Sequence, residues 1–133
     1  MSLEEKILKK YRTVAVVGLS PAPSRPSQQV ASYLMSHGYK IIPVNPRAQE
    51  ILEQTSYPEL SSIPEAVEVV DIFRRSEEVM PIVAEAIRIG AKAVWMQEGI
   101  VNEEAAAKAR KAGLLVVMDK CMRKEHMRLT QTD

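Results

Sequence analysis

Apolar residues fall into five short runs: Thr13–Val17, Tyr39–Val44, Val67–Phe73, Ala93–Met96 and Leu114–Met118. Most are rich in β-branched residues, and none alternates strictly between apolar and polar positions. Mainly apolar runs of this length predict strands buried on both faces. The intervening segments change period. Residues 2–11 have capping-box spacing between Ser2 and Glu5, with Leu3, Ile7 and Leu8 on one side. Ser27 is the predicted N-cap of a helix whose apolar stripe is Val30, Ala31, Leu34 and Met35, closed by Gly38. Ser76 precedes a helix with Val79, Ile82, Val83, Ala86 and Ile87 inward, ended by Gly90; Pro81 blurs its start. Asn102 caps an alanine-rich helix to Ala112, and Cys121–Leu129 reads as a last helix with Met122 and Leu129 inward. Residues 47–64 are mixed, with one helical turn expected near Ile51.

Strands alternating with helices predict parallel pairing through right-handed crossovers. The pattern therefore points to a single α/β domain, a doubly wound parallel five-stranded sheet spanning residues 1–133. The expected strand order is 3-2-1-4-5, with a ligand at the carboxyl ends of the strands, near the switch point beside the first.

At that edge the loops carry most of the candidate chemistry. After the first strand comes Gly18, then Ser20, Arg25, Pro26 and Ser27. After the second come Val44, Asn45, Pro46 and Arg47; after the third, Phe73, Arg74 and Arg75. Gln97–Glu98–Gly99 follows the fourth, and Asp119–Lys120–Cys121 the fifth. The chain has 18 Lys and Arg against 17 Asp and Glu, a formal net charge of +1. Such balance gives no general attraction to nucleic acid or an anionic membrane. Yet four arginines follow the first three strands. Guanidinium groups make paired, charge-assisted bonds to phosphate, and a helix start near Ser27 adds N–H groups and a positive dipole end. Arginines in such loops can equally be plain solvated charges.

What is missing narrows the ligand. Only Gly18 of a Gly-x-Gly-x-x-Gly fingerprint is present, and the second strand ends without the acid that takes the ribose hydroxyls of NAD. Arg47 there suits a phosphate on the adenosine ribose, as in NADP or coenzyme A. NADP would need a hydride-partner site for which this length leaves no room, whereas coenzyme A needs only a groove for its arm.

The runs GLSPAPSRPS, YKIIPVNP, VVDIFR, AVWMQEGI and DKCMRKEH together resemble the small stand-alone CoA-binding proteins. These are similar in turn to the N-terminal CoA-binding domain of the succinyl-CoA synthetase alpha subunit and of ADP-forming acyl-CoA synthetases. The resemblance runs from about Tyr11 to Leu129 and implies a Rossmann-like fold that binds coenzyme A or acyl-CoA. It implies no established reaction, and the expected role is a carrier, sensor or regulatory module. By position, it assigns Gly18, Ser20, Arg25, Pro26 and Ser27 to the phosphates and Val44, Asn45 and Pro46 to the adenosine pocket. Phe73 and Arg74 form that pocket's other wall. The synthetases use a phosphorylated histidine and a separate nucleotide-grasping unit. This chain has only His37 and His126, neither in a comparable domain, so synthetase activity is not implied.

Two other readings stay open: an enzyme acting on a CoA thioester through Cys121 or Glu98, and an NADP-dependent oxidoreductase-like domain. On a helix Cys121 and Glu125 share a face while His126 is rotated away, so local spacing does not support a Cys–His pair. Cys121 reads rather as a buried thiol, or as one near enough to the CoA sulfur for a mixed disulfide. Trp95 and Met96 read as core, and His37 as a partner for carbonyls at its helix end. Gln97 and Glu98 could meet the pantetheine amides or simply face solvent. Two histidines and one cysteine give no metal-ligand spacing, so no metal is expected. The charged segment MSLEEKILKKY lacks a signal peptide's apolar centre, and the lone cysteine suits a reducing compartment, so the cytoplasm is expected. The expected partner is a small molecule, not nucleic acid or a membrane.

Overall fold

The computed structural model describes residues 1–131. Helix α1 (Leu3–Lys10) begins at Ser2, whose Oγ accepts the Glu5 N–H at 3.1 Å. It turns Ile7 and Leu8 into the interior. Strand β1 (Thr13–Val17) leads through the Gly18 loop to α2 (Pro26–Ser36), then β2 (Lys40–Val44). A small hairpin of β3 (Glu50–Ile51) and β4 (Gln54–Thr55) and a 3-10 turn at Leu60–Ser62 precede β5 (Val69–Ile72). A 3-10 turn at Ser76–Glu78 opens α3 (Val79–Arg88), so Pro81 falls in the first helical turn, where it removes no needed donor. Strand β6 (Ala93–Met96), α4 (Glu103–Lys111), β7 (Leu115–Val117) and α5 (Met122–Gln131) complete the described chain.

The five main strands are all parallel, in the order β2-β1-β5-β6-β7. Counted along the sequence, that order is 2-1-3-4-5. The expected 3-2-1-4-5 is therefore wrong: the second strand lies at the edge and the third lies beside the first. Pro43 explains the placement. It sits in β2 opposite Val16, and its carbonyl accepts the Tyr57 N–H at 3.0 Å, away from β1. A residue without an N–H is tolerated where no further strand must receive it, which is an edge. The change of direction then falls between β1 and β5, and the ligand-binding crevice of such a fold opens there.

Two further expectations are corrected. The segment around Ile51 is a hairpin, not a helical turn. Leu52 and Glu53 both have positive φ, 53° and 63°, as a tight two-residue hairpin turn requires. Neither is the Asn or Gly that normally announces that turn. Ser27 is not the N-cap of α2 either: Arg25 takes that position and Pro26 begins the helix. The fixed φ of proline and its missing N–H make it a good first helical residue.

The sheet packs between two layers. On one face lie α3, α4 and the Leu60 turn, against Ala15, Ile42, Val70, Ile72, Val94 and Met96. On the other lie α1, α2 and α5, against Val14, Val16, Ile41, Val69, Trp95 and Val117. Trp95 and Met96 are fully buried, as the sequence reading expected. Among the described residues no helix is long and apolar enough to cross a membrane.

Candidate functional site

Gly18 brings the ends of the central strands together. Its φ is 89°, and a Cβ added there would stand 2.4 Å from the Phe73 carbonyl oxygen and 3.0 Å from Arg74 Cδ. Only glycine supplies both the positive φ and the close approach. The Gly18 N–H donates to the Val44 carbonyl, and the Phe73 N–H donates to the Val17 carbonyl at 2.8 Å. Thus β2, β1 and β5 are locked at one level beneath the crevice.

The loop after Gly18 is braced by its own polar groups. The Ser20 N–H donates to Ser27 Oγ at 3.0 Å, and the Ala22 N–H to Ser20 Oγ at 3.1 Å. The Gln28 side-chain amide donates to the Ser20 carbonyl at 3.2 Å. Ser27 therefore acts through its hydroxyl as a loop brace. Its own N–H, in the first turn of α2, has no protein acceptor among the described residues. That donor, with the positive end of the helix dipole, faces the loop that carries Arg25.

Above this loop lies a groove of about 520 Å³. Gly18, Ser20, Arg25, Pro26 and Ser27 form one wall; Phe73, Arg74 and Arg75 form the other, with Gly99 and Ile100 at one end. A neighbouring recess of about 430 Å³ shares Gly18 and Arg74 and is lined by Val44, Pro46, Pro58, Leu60 and Ile82. A third, at the outer rim, is lined by Arg47, Phe73, Arg74, Arg75 and Glu78.

Nine of the ten predicted site residues therefore line connected recesses at the switch point. Asn45 does not. Its Nδ2 donates to the Leu19 carbonyl at 3.0 Å and its Oδ1 accepts the Arg47 N–H at 2.8 Å. It ties the loops after β1 and β2 together rather than lining the pocket.

The carboxylates here were missed in the sequence reading. Arg74 lies 3.5 Å from Glu78, and Arg75 lies 3.6 Å from both Glu77 and Glu78. Glu59, Glu77, Glu78 and Glu85 all border the Val44–Pro46 recess. That recess offers acceptors for amine or hydroxyl groups, while the cationic side chains Arg25, Arg47, Arg74 and Arg75 line the groove and its outer rim. The pairs are exposed and loose, hence weak, and a phosphate offering paired acceptors can displace them. The signal was visible: Arg74-Arg75-Ser76-Glu77-Glu78 is contiguous. Among the described residues neither Arg25 nor Arg47 makes an ion pair.

The groove is also lined by Ser76 and Ile100, which the sequence reading did not place there, and by Gly99, which it placed at this edge. The Val101 N–H donates to Ser76 Oγ at 3.0 Å, the Asn102 amide to the Ser76 carbonyl at 2.9 Å, and the Gly99 N–H to Asp119 Oδ1 at 2.7 Å. These bonds fix the loop after β6 as the groove's far wall.

Below the crevice, Asp71 is fully buried on β5 between Val16 and Trp95. Its Oδ1 accepts from Gln97 Nε2 at 2.6 Å and its Oδ2 has no partner. Burial pushes its pKa up to about 7, and the Gln97 hydrogen bond opposes the rise. Gln97 is thus a buried partner, not a solvent-facing residue.

Cys121 and His126 part company. His126 Nδ1 lies 2.8 Å from the Tyr33 hydroxyl, and its ring packs edge-on to Tyr39 and His37. Burial lowers its pKa, helped by His37 and Arg12. His37 Nδ1 lies 2.8 Å from the Tyr33 carbonyl, the helix-end contact expected of it. No hydrogen bond joins His126 to Cys121 among the described residues.

Fold and crevice define a doubly wound domain with a cationic groove at its switch point. Residues 12–127 match the family model described as CoA binding domain. The Bacillus subtilis protein YneT is 38% identical over 122 residues, covering 92% of this chain and 90% of that protein. A solved hypothetical protein from Pyrococcus horikoshii superposes with a TM-score of 0.94 at 42% identity, covering 98% of this chain and 93% of that one. The ADP-forming acetate–CoA ligase II of Archaeoglobus fulgidus is 35% identical over 95 residues, 69% of this chain but 14% of the ligase. The chain belongs to the CoA-binding domain family.

Proposed function

We propose that the chain binds coenzyme A, or one of its thioesters, as a carrier, sensor or regulatory module. One observation carries the reading: at the switch point Arg25 and the Ser27 N–H, both without a protein partner of this kind among the described residues, share a groove with Gly18, and that groove adjoins an arginine-rimmed recess. The diphosphate sits over the Gly18 turn and the start of α2. The adenosine enters between Val44, Pro46 and Arg74, and the ribose phosphate meets Arg47, Arg74 and Arg75. An enzymatic role through Cys121 and His126 gains no support, since these two side chains point into different surroundings.

Calorimetry with coenzyme A, dephospho-CoA, NADP and NAD tests this. Coenzyme A binds best, dephospho-CoA clearly worse and NAD poorly. Arg25→Ala weakens coenzyme A by about 1.5–3 kcal/mol, the scale of a hydrogen bond to a charged group. Equal binding of coenzyme A and dephospho-CoA, an unchanged Arg25→Ala affinity, or a preference for NADP would refute the reading.

A further inference from the structure

The recesses form a series whose polarity changes from end to end. The outer rim holds Arg47, Arg74 and Arg75. The central groove follows, between Arg25 and Arg74. Past Pro26, which lines both, lies a chamber of about 340 Å³ between the start of α2 and α5. Its apolar walls are Pro26, Val30, Cys121 and Met127, and Gln29, Glu98, Arg123 and Lys124 border it. Glu98 precedes Gly99, a lining residue of the central groove. The Glu98 and Lys124 charges neutralise each other: Lys124 Nζ donates to each Glu98 carboxylate oxygen at 3.0 Å.

We infer that this chamber takes the acyl group of a short- to medium-chain acyl-CoA thioester, an inference that rests on the coenzyme A reading above. Coenzyme A has the same polarity as the groove, with its phosphates toward the adenosine end and its sulfur at the other. With the diphosphate over the Gly18 turn and the adenosine toward Val44, the arm runs past Pro26. A free thiol has no use for a methyl- and methylene-lined chamber of this size. An alkyl chain attached to that sulfur does, because it leaves water for apolar walls. Met127 gives one wall the adaptability to close on chains of different length.

The test is a calorimetric series of coenzyme A, acetyl-CoA, butanoyl-CoA and hexanoyl-CoA. It uses the wild type and two variants that fill the chamber, Gln29→Trp and Met127→Trp. Gln29 is exposed and Met127 half-buried, and neither lines the central groove, so circular dichroism should report both folded. Each methylene buried in the chamber raises affinity about fourfold. Hexanoyl-CoA should therefore bind wild type at least ten times more tightly than acetyl-CoA. Both variants should lose that gain while binding coenzyme A as wild type does. A flat series in the wild type, or a gain that survives both tryptophans, overturns the acyl chamber and leaves coenzyme A binding standing. Absence of coenzyme A binding in the wild type overturns both.

Discussion

The two faces of the sheet are built from the same strands yet hold their helices differently. The face under α3 and α4 packs alanines of α4 on Val94 and Val116, and its directed contacts lie at the margin, where the Glu85 carboxylate of α3 accepts the Leu60 and Ser61 N–H groups at 3.2 Å. The face under α1, α2 and α5 carries directed polar contacts inside an equally tight core. The Tyr39 hydroxyl donates to the Leu8 carbonyl at 2.6 Å, and the Trp95 Nε1–H to the Lys120 carbonyl at 2.8 Å. Tyr33 and His126 join α2 to α5, and Lys120 lies 3.4 Å from Glu4 of α1. Topology explains the contrast. Helices α3 and α4 each connect two strands and are held at both ends by the sheet. Helix α1 precedes the first strand and α5 follows the last, so each is tied to the sheet at one end only. Nondirectional burial seats a helix that is already tethered twice; a helix tethered once needs hydrogen bonds to fix its register.

That contrast can be broken at its strongest point first. Trp95→Ala removes a fully buried ring and the bond that anchors the approach to α5. It should cost about 3–5 kcal/mol in urea unfolding, the range for large aromatic truncations. Next comes the titrating group of the polar face. The Asp71 pKa is about 7 in the fold against an ordinary 3.8, so the folded state holds a proton that the unfolded chain releases. The stability this proton confers is complete below about pH 4, is lost as pH rises to about 7, and stays lost above. Asp71→Asn keeps an acceptor for Gln97 and removes the titration. The variant's stability relative to wild type should rise by a few kcal/mol between pH 4 and pH 7 and then level off. His126 has a lowered pKa and pulls the opposite way, its contribution fading as pH falls from the ordinary 6.5 toward its folded value, but it is common to both proteins and cancels in the difference. A relative stability flat with pH would place the ionised Asp71 in a solvated setting. The smallest effect belongs to the apolar face: Ile42→Val should cost about 0.5–1.5 kcal/mol, the same at pH 5 and pH 8. A pH-dependent cost there would erase the distinction between the faces.

The elements were legible in the sequence because buried parallel strands and amphipathic helices leave strong periods. All five main strands and all five helices were anticipated, β1 and β6 with their observed bounds and the others with shifted ends. Strand order was harder, since each buried run looks equally central to a periodicity argument. The clue was Pro43, a residue whose missing N–H belongs at an edge. The hairpin at Leu52 and Glu53 left no signal, because burial of Ile51 and the surrounding chain imposes the positive φ values on ordinary residues. At the site, the arginines and Gly18 stood out by residue type. Their glutamate partners did not, because counting one charge sign at an edge ignores the three residues that follow. The Asp71–Gln97 pair was invisible for another reason: the two are 26 positions apart, and only the pairing of β5 with β6 makes them neighbours.

The close approach at Gly18 also limits how this groove could be moved elsewhere. With the Phe73 carbonyl standing where a Gly18 side chain would be, the loops after β1 and β5 are shaped against each other. A designer grafting residues 18–27 onto another parallel sheet would transplant Arg25 and the α2 start without the wall that faces them. The portable unit is discontinuous: it needs Phe73 and Arg74, which follow the adjacent strand, to come with it.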